Sequence, residues 1–219
     1  LFRSAPDAVR REMFEEAALT GSAYARAVAF APRNPAAYLY GESESKWYTA
    51  FPSFDYKFNV DDGQGGKDVD ARLAFFFVAT VNTPAMVWRI PGVGSQYAII
   101  SRDPSGDWFN GDRTYTLRIP ANPPAKNFWS FVVYDTQTRS MLQTPMQKFP
   151  SVNSMRKDVR VDSDGSVLLT IGPVQPDSNR GNWIQTRPGK GWFGIFRLYG
   201  PLEPWFDQSW RPGEINPLD

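Results

Sequence analysis

Apolar and polar positions change period once along this chain. Between residues 4 and 30, Val9, Met13, Ala17, Tyr24 and Val28 recur at roughly helical spacing. Ser4 is placed to cap that stretch, Pro6 and Asp7 suit its first turn, and Glu12, Glu15 and Glu16 follow. Gly21 offers a point of division, and Pro32 and Pro35 end it. Further on, "DVDARLAFFFVATVNTP" would alternate as a strand, yet Leu73, Phe76, Phe77, Thr80 and Val81 keep the 3.6-residue period. Asp68 and Asp70 supply capping and Pro84 a stop, so the pattern predicts a helix over 68–83. The rest of 35–68 reads as irregular, with a short strand at "KWYTAF" and a flexible surface loop at "DDGQGGKD".

From about residue 95 the period becomes that of β-structure. "SQYAIISR", "RTYTLRIP", "NFWSFVVYD", "VRVDSDGSVLLTIG" and "WFGIFRLYG" are short aromatic and β-branched runs separated by Gly, Pro, Asp and Asn. "DSDGS" between two alternating runs predicts a hairpin with Gly165 in the left-handed position. Strands at this spacing, without helical connectors, predict an antiparallel sandwich. The domain reading is a helical connecting segment over 1–34, an irregular region with one helix over 35–94, and a β-sandwich over 95–219.

Composition removes whole classes of chemistry. The 219 residues contain no histidine and no cysteine, which excludes Ser-His-Asp and Cys-His nucleophile systems, the usual zinc sites and disulfides. Acid-base work would fall to Asp, Glu, Lys, Tyr or Arg. Twenty-four basic against 23 acidic residues give a net charge of +1, so no electrostatic excess favours nucleic acid or an anionic membrane surface. No apolar run approaches the length of a membrane span.

Candidate motifs are few. "DPSGD" at 103–107 starts like a calcium loop, but Trp108 and Thr114 stand where glycine and glutamate would be needed, so it reads as a hairpin loop. "GVGSQ" and "PGKGWFG" precede no helix that would present amides to phosphate. No cofactor is expected.

Two strands carry polar residues worth weighing. Phe128, Ser130, Val132 and Tyr134 face one way and Trp129, Phe131, Val133 and Asp135 the other, so the strand reads as central and covered on both sides. Asp135 then opens "DTQTRS" at the mouth of the sheet, where an aspartate commonly accepts its own downstream amides; a ligand role with Tyr134 and Arg139 is the competing reading. In "WFGIFRLYG", Arg197 must pair or reach water, and a structural ion pair is favoured over ligand binding. Eight tryptophans include Trp183, Trp192, Trp205 and Trp210 near the C-terminus, which fill a core or stack on a sugar or apolar ligand.

"NGDRTYTLRIP", "PPAKNFWSFVVYDTQTRSMLQ", "DSDGSVLLTIGP" and "GNWIQTRPGKGWFGIFRLYGPLEPWFDQSWRPGEI" resemble, in order and spacing, the bacterial family called domain of unknown function 1214. The resemblance covers about residues 95–216; the upstream helical stretches look like the region joining it to domain of unknown function 1254. It implies a jelly-roll-like sandwich, a second β domain upstream with Leu1 as an internal start, and export favouring the periplasm. It brings no agreed reaction or catalytic residues.

Two classes of function follow. The favoured one is a noncatalytic module that binds an apolar or sugar-like ligand, or a partner domain or subunit. Its candidate ligand-binding residues are Tyr134, Asp135, Arg139, Trp183, Arg197 and Tyr199. The alternative is the C-terminal half of a hydrolase using carboxylates and tyrosines. Convergence of Asp135, Asp164, Arg197 and Tyr199 in one cleft would favour catalysis; scatter in turns and pairs would favour binding or structure.

Overall fold

The computed structural model describes residues 5–60, 64–178 and 180–218. Helix α1 runs Ala8–Phe30, unbroken at Gly21. Its cap is Asp7, whose carboxylate accepts from the Arg10 amide; Ser4 lies outside the described residues. Ala31 closes the helix on the Ala27 carbonyl, and Pro32 has no amide to continue it. The buried residues of α1 are Ala25, Val28, Ala29 and Phe30, so its earlier turns stand in solvent.

Helix α2 is shorter than its periodicity predicts. It spans Val69–Val78, capped by Asp68 accepting from the Ala71 amide at 2.9 Å. Thr80 and Val81 fall outside it, and Pro84 begins a separate 3-10 turn, Pro84–Val87. Chain extension at Ala79 ends the helix before the proline acts. In "DDGQGGKD", residues 61–63 lie outside the described residues; Lys67 is bridged to Asn59.

Eight strands form two four-stranded sheets among the described residues: β1 (Ser95–Ile100), β2 (Tyr115–Ile119), β3 (Ala125–Asp135), β4 (Ser151–Asn153), β5 (Val167–Gly172), β6 (Trp183–Gln185), β7 (Trp192–Pro201) and β8 (Ile215–Pro217). One sheet has the order β1-β7-β3-β4 and the other β6-β5-β2-β8. All pairs in the first sheet are antiparallel, but β5 and β6 run parallel, so the second sheet is mixed and the all-antiparallel expectation is corrected. A short helix α3, Glu203–Phe206, follows β7.

"DSDGS" makes its turn, with Gly165 at φ 82° and Asp162 and Ser166 bonded across it. Only the strand after it forms; residues 159–162 join no ladder. "DPSGD" likewise turns through Gly106, but β1 and β2 on either side lie in different sheets. "KWYTAF" is no strand. Tyr48 makes single bridges to Tyr38 and to Ile99 of β1, while Trp47 turns inward, fully buried, and donates its indole N–H to the Gly213 carbonyl.

The main core lies between the sheets. Ile100, Phe131, Val133, Phe196 and Leu198 of the first meet Leu117, Ile119, Leu169, Ile171 and Ile215 of the second, and all are essentially inaccessible. The C-terminal segment packs across this core: Trp210 stacks on Phe196 with centroids 5.7 Å apart and donates to the Ala121 carbonyl. A second cluster, including Phe30, Tyr48, Ile99 and Phe193, occupies the outer face of the first sheet beneath α1. Strand β7 is therefore covered on both sides, as is β3.

Gly194 is needed where these strands meet. A Cβ there would lie 2.6 Å from Cε2 of the Phe131 ring, and closer still to Cζ. That ring has no accessible surface and meets Trp47 edge-on, so it has nowhere to retreat. We expect Gly194→Ala to lower stability by about 1–3 kcal/mol through overpacking. Urea denaturation checks this, and an unchanged midpoint would show that the core yields more easily than its packing implies.

Candidate functional site

Helices α1 and α2 do not close tightly on the sheet. Alanines occupy the facing positions, among them Ala29, Ala71, Ala74 and Ala79, and their small side chains leave a cavity of about 320 Å³. Its floor is the outer face of the first sheet, with Ile99 of β1, Phe193 and Ile195 of β7, and Tyr134 of β3. Phe30, Phe51 and Phe75 supply aromatic wall. Phe30 packs on Phe193 at 5.0 Å and Phe51 on Phe75 at 4.8 Å, centroid to centroid.

Polar ties hold the walls in place. The Tyr48 hydroxyl donates to the Ala29 carbonyl at 3.1 Å and Ser101 to the Phe30 carbonyl, fastening the end of α1 to β1. Asn34 donates to Asp68 at 2.7 Å, and Tyr24 donates to Asp70 at 2.7 Å, joining α1 and its exit loop to the start of α2. Arg33 stands 4.0 Å from the same Asp70. Burial pushes the Tyr48 hydroxyl's pKa up, so it donates as a neutral phenol at neutral pH.

The cavity's charged lining is Arg33, Arg139, Arg197 and Asp70. Arg197 rises from the middle of β7, half-buried. It has no carboxylate within 4.0 Å among the described residues, which corrects the expected ion pair. One terminal nitrogen donates to the Tyr134 hydroxyl, the rings of Tyr97 and Tyr134 flank the guanidinium at 5.4 and 5.8 Å, and the buried Nε has no partner. Burial raises the Tyr134 pKa, and the opposing pull of Arg197 does not cancel it.

Tyr134, Arg139 and Arg197 thus line one cavity, whereas Asp135, Trp183 and Tyr199 do not. Trp183 is buried with its indole N–H on the Gly172 carbonyl. Tyr199 stacks on Phe128 with centroids 4.0 Å apart. Asp164 sits in its exposed turn, accepting from the Ser166 amide. Asp135 and Asp164 stand apart from each other and from Arg197, whereas Tyr199 neighbours Arg197 on the same face of β7 and interacts with its guanidinium. Sequence reasoning missed Phe51, Phe75, Tyr97 and the alanines. The one available signal was the pair Ala71 and Ala74 on an otherwise bulky helix.

Asp135 is a turn residue. One oxygen accepts from the Gln137 amide at 2.6 Å and the Thr138 amide at 3.2 Å; the other meets the Lys190 ammonium at 3.0 Å. Burial alone would raise its pKa, but the Lys190 bond and the two amides outweigh it and hold the carboxyl below its ordinary value. Arg139 does not reach this carboxylate. Its guanidinium lies over the Phe77 ring at 4.4 Å.

The architecture is thus a two-sheet β domain with a helix-roofed apolar cavity on its outer face. The family model described as "Protein of unknown function (DUF1214)" matches residues 94–203, half of the chain, and the chain belongs to that family. The VPA0106 protein from Vibrio parahaemolyticus has a similar structure, with a TM-score of 0.53 at 16% identity over 100% of this chain and 47% of that one. An uncharacterized protein from Burkholderia cenocepacia aligns with a TM-score of 0.44 at 15% identity, over 100% of this chain and 45% of its own. The chain therefore spans about half the length of the solved structures it matches. No curated protein matches it. With the Vibrio protein the likeness is one of fold.

Asp135→Ala removes the acceptor for two amides and leaves Lys190 unpaired, so it should lower stability by about 1–3 kcal/mol. Asp135→Asn keeps an acceptor for the amides and should lose less. Because the folded pKa is depressed, the carboxylate's contribution is complete above the unfolded value of about 3.9 and disappears as pH falls through the folded one. Denaturation from pH 7 to 3 should show a steeper acid loss for the unaltered protein than for Asp135→Asn. Parallel curves would mean the ion pair contributes nothing.

Proposed function

We propose that this domain is a binding module whose site is the cavity between the two helices and the outer face of the first sheet, and that its ligand is an apolar small molecule. The observation that carries this reading is the cavity itself: about 320 Å³, walled by phenylalanines and alanines and floored by an otherwise complete sheet. A purely structural interface would close such a space, because unfilled apolar volume is destabilising. The absence of Asp135 and Asp164 from the cavity lining supports binding over hydrolysis by a pair of carboxylates. The jelly-roll-like connection, the upstream β domain and the periplasmic setting implied by the resemblance belong to the same proposal.

Ala74 lines the cavity from α2, and a phenylalanine there would occupy it. Calorimetric titration with 1-decanol, an uncharged apolar probe, should show binding to the unaltered protein and at least about tenfold weaker binding to Ala74→Phe, since several buried methylenes would be excluded. Equal affinity for the two proteins would refute the assignment of the site.

A second reading concerns assembly and rests on α1. Val9, Met13 and Leu19 are exposed on turns that touch little else, and an apolar surface of that kind is typically covered by a partner domain or subunit. Sedimentation velocity should reveal concentration-dependent association that the double substitution Val9→Glu, Met13→Glu weakens. A monodisperse monomer at high concentration, binding no dye for apolar surface, counts against it.

A further inference from the structure

The lining of the cavity is not electrically balanced. Three arginines, Arg33, Arg139 and Arg197, face one carboxylate, Asp70. Asp70 is already engaged, accepting from Tyr24 at 2.7 Å and pairing with Arg33 at 4.0 Å. Arg139 and Arg197 therefore have no counter-ion within 4.0 Å among the described residues. Arg139 is exposed at the rim, where water serves it. Arg197 is not so placed. It is half-buried between two tyrosine rings, and its Nε is sealed from water without an acceptor. A guanidinium in that position is costly to keep without an anion.

We propose that the cavity takes an amphiphilic carboxylate, a medium-chain or aryl acid, with its head group held by Arg197 and its body against Phe30, Phe75 and Phe193. This rests on the reading of the cavity as a ligand site and adds the sign of the ligand's charge. A guanidinium bonds a carboxylate more strongly than a neutral acceptor. Tyr134 already accepts from Arg197 and, as a neutral phenol, can donate its own proton to the same head group. A volume of 320 Å³ corresponds to about ten water-sized groups, the scale of a ten-carbon acid. Arg139 at the mouth adds to the potential that draws an anion in.

The test compares decanoate with 1-decanol on the full 219-residue chain. Decanoate should bind at least about tenfold more tightly, the usual effect of a hydrogen bond to a charged group. Arg197→Gln should weaken decanoate by about 10- to 100-fold and change decanol by less than about threefold. Ala74→Phe should weaken both, placing them in the same cavity. If decanol binds as tightly as decanoate, or Arg197→Gln leaves decanoate unaffected, the charge assignment is overturned while the apolar site stands. If neither probe binds, both readings fall. Should Arg197→Gln not fold, the comparison of the two probes on the unaltered protein still decides the matter.

Discussion

The structure depends on the register between β3 and β7. These two strands are the inner pair of the first sheet, with Phe131 opposite Phe196, Val133 opposite Gly194 and Asp135 opposite Trp192. Side chains alternate across a sheet, so this register sends Trp192, Phe196 and Leu198 into the sandwich and Phe193, Ile195 and Arg197 to the helix-covered face. A slip of one residue would place the Arg197 charge between the sheets, where no acidic partner exists in the core. The Phe131 ring over Gly194 fixes the alignment sterically, since any side chain at 194 would collide with it.

Having two covered faces separates two kinds of electrostatic environment. On the end of β3, Asp135 is buried but fully provided for by Lys190 and two amides. On the opposite face, Arg197 is half-buried with aromatic rings and a phenol for company. Cation–π contacts and the neutral phenols of Tyr134 and Tyr199 recover part of a guanidinium's lost hydration, but less than a carboxylate would. The two sites lie on the same pair of strands. The difference between them is that the Asp135 environment is complete without a ligand.

Much of the sheet structure was legible because alternation is local. The apolar runs that became β1, β2, β3, β5 and β7 were each long enough to display a period, and β3 was correctly read as covered on both faces. Strands β4, β6 and β8 have three residues each, too few for any period, and the parallel pairing of β5 with β6 is a tertiary choice no local pattern encodes. The helix near 68–83 was found but overextended, since its apolar period continues after the backbone has turned extended at Ala79. In the site, Tyr134 and Arg197 were visible as polar residues within apolar strands, and Arg139 as a charge in the turn that follows β3. Trp183 drew attention only by its size, and its indole is satisfied within the core. The cavity's roof was illegible because it requires knowing where two helices dock on a sheet.

The turn after β3 connects the structural role of Asp135 with the binding role proposed for the cavity. Asp135 holds the amides of Gln137 and Thr138 with its side chain, while its own carbonyl accepts from the Arg139 amide at 2.8 Å and its amide donates to Ser140 at 2.9 Å. That network holds Arg139 at φ 62°, a left-handed conformation that costs a non-glycine residue about 1–2 kcal/mol. A glycine would adopt it more readily. Arginine there instead carries a guanidinium from the turn to the cavity rim, over Phe77 at 4.4 Å. Asp135 therefore acts on the cavity without entering it, by fixing the turn that aims Arg139. The strain at Arg139 is easiest to understand if a positive charge at that rim has a use.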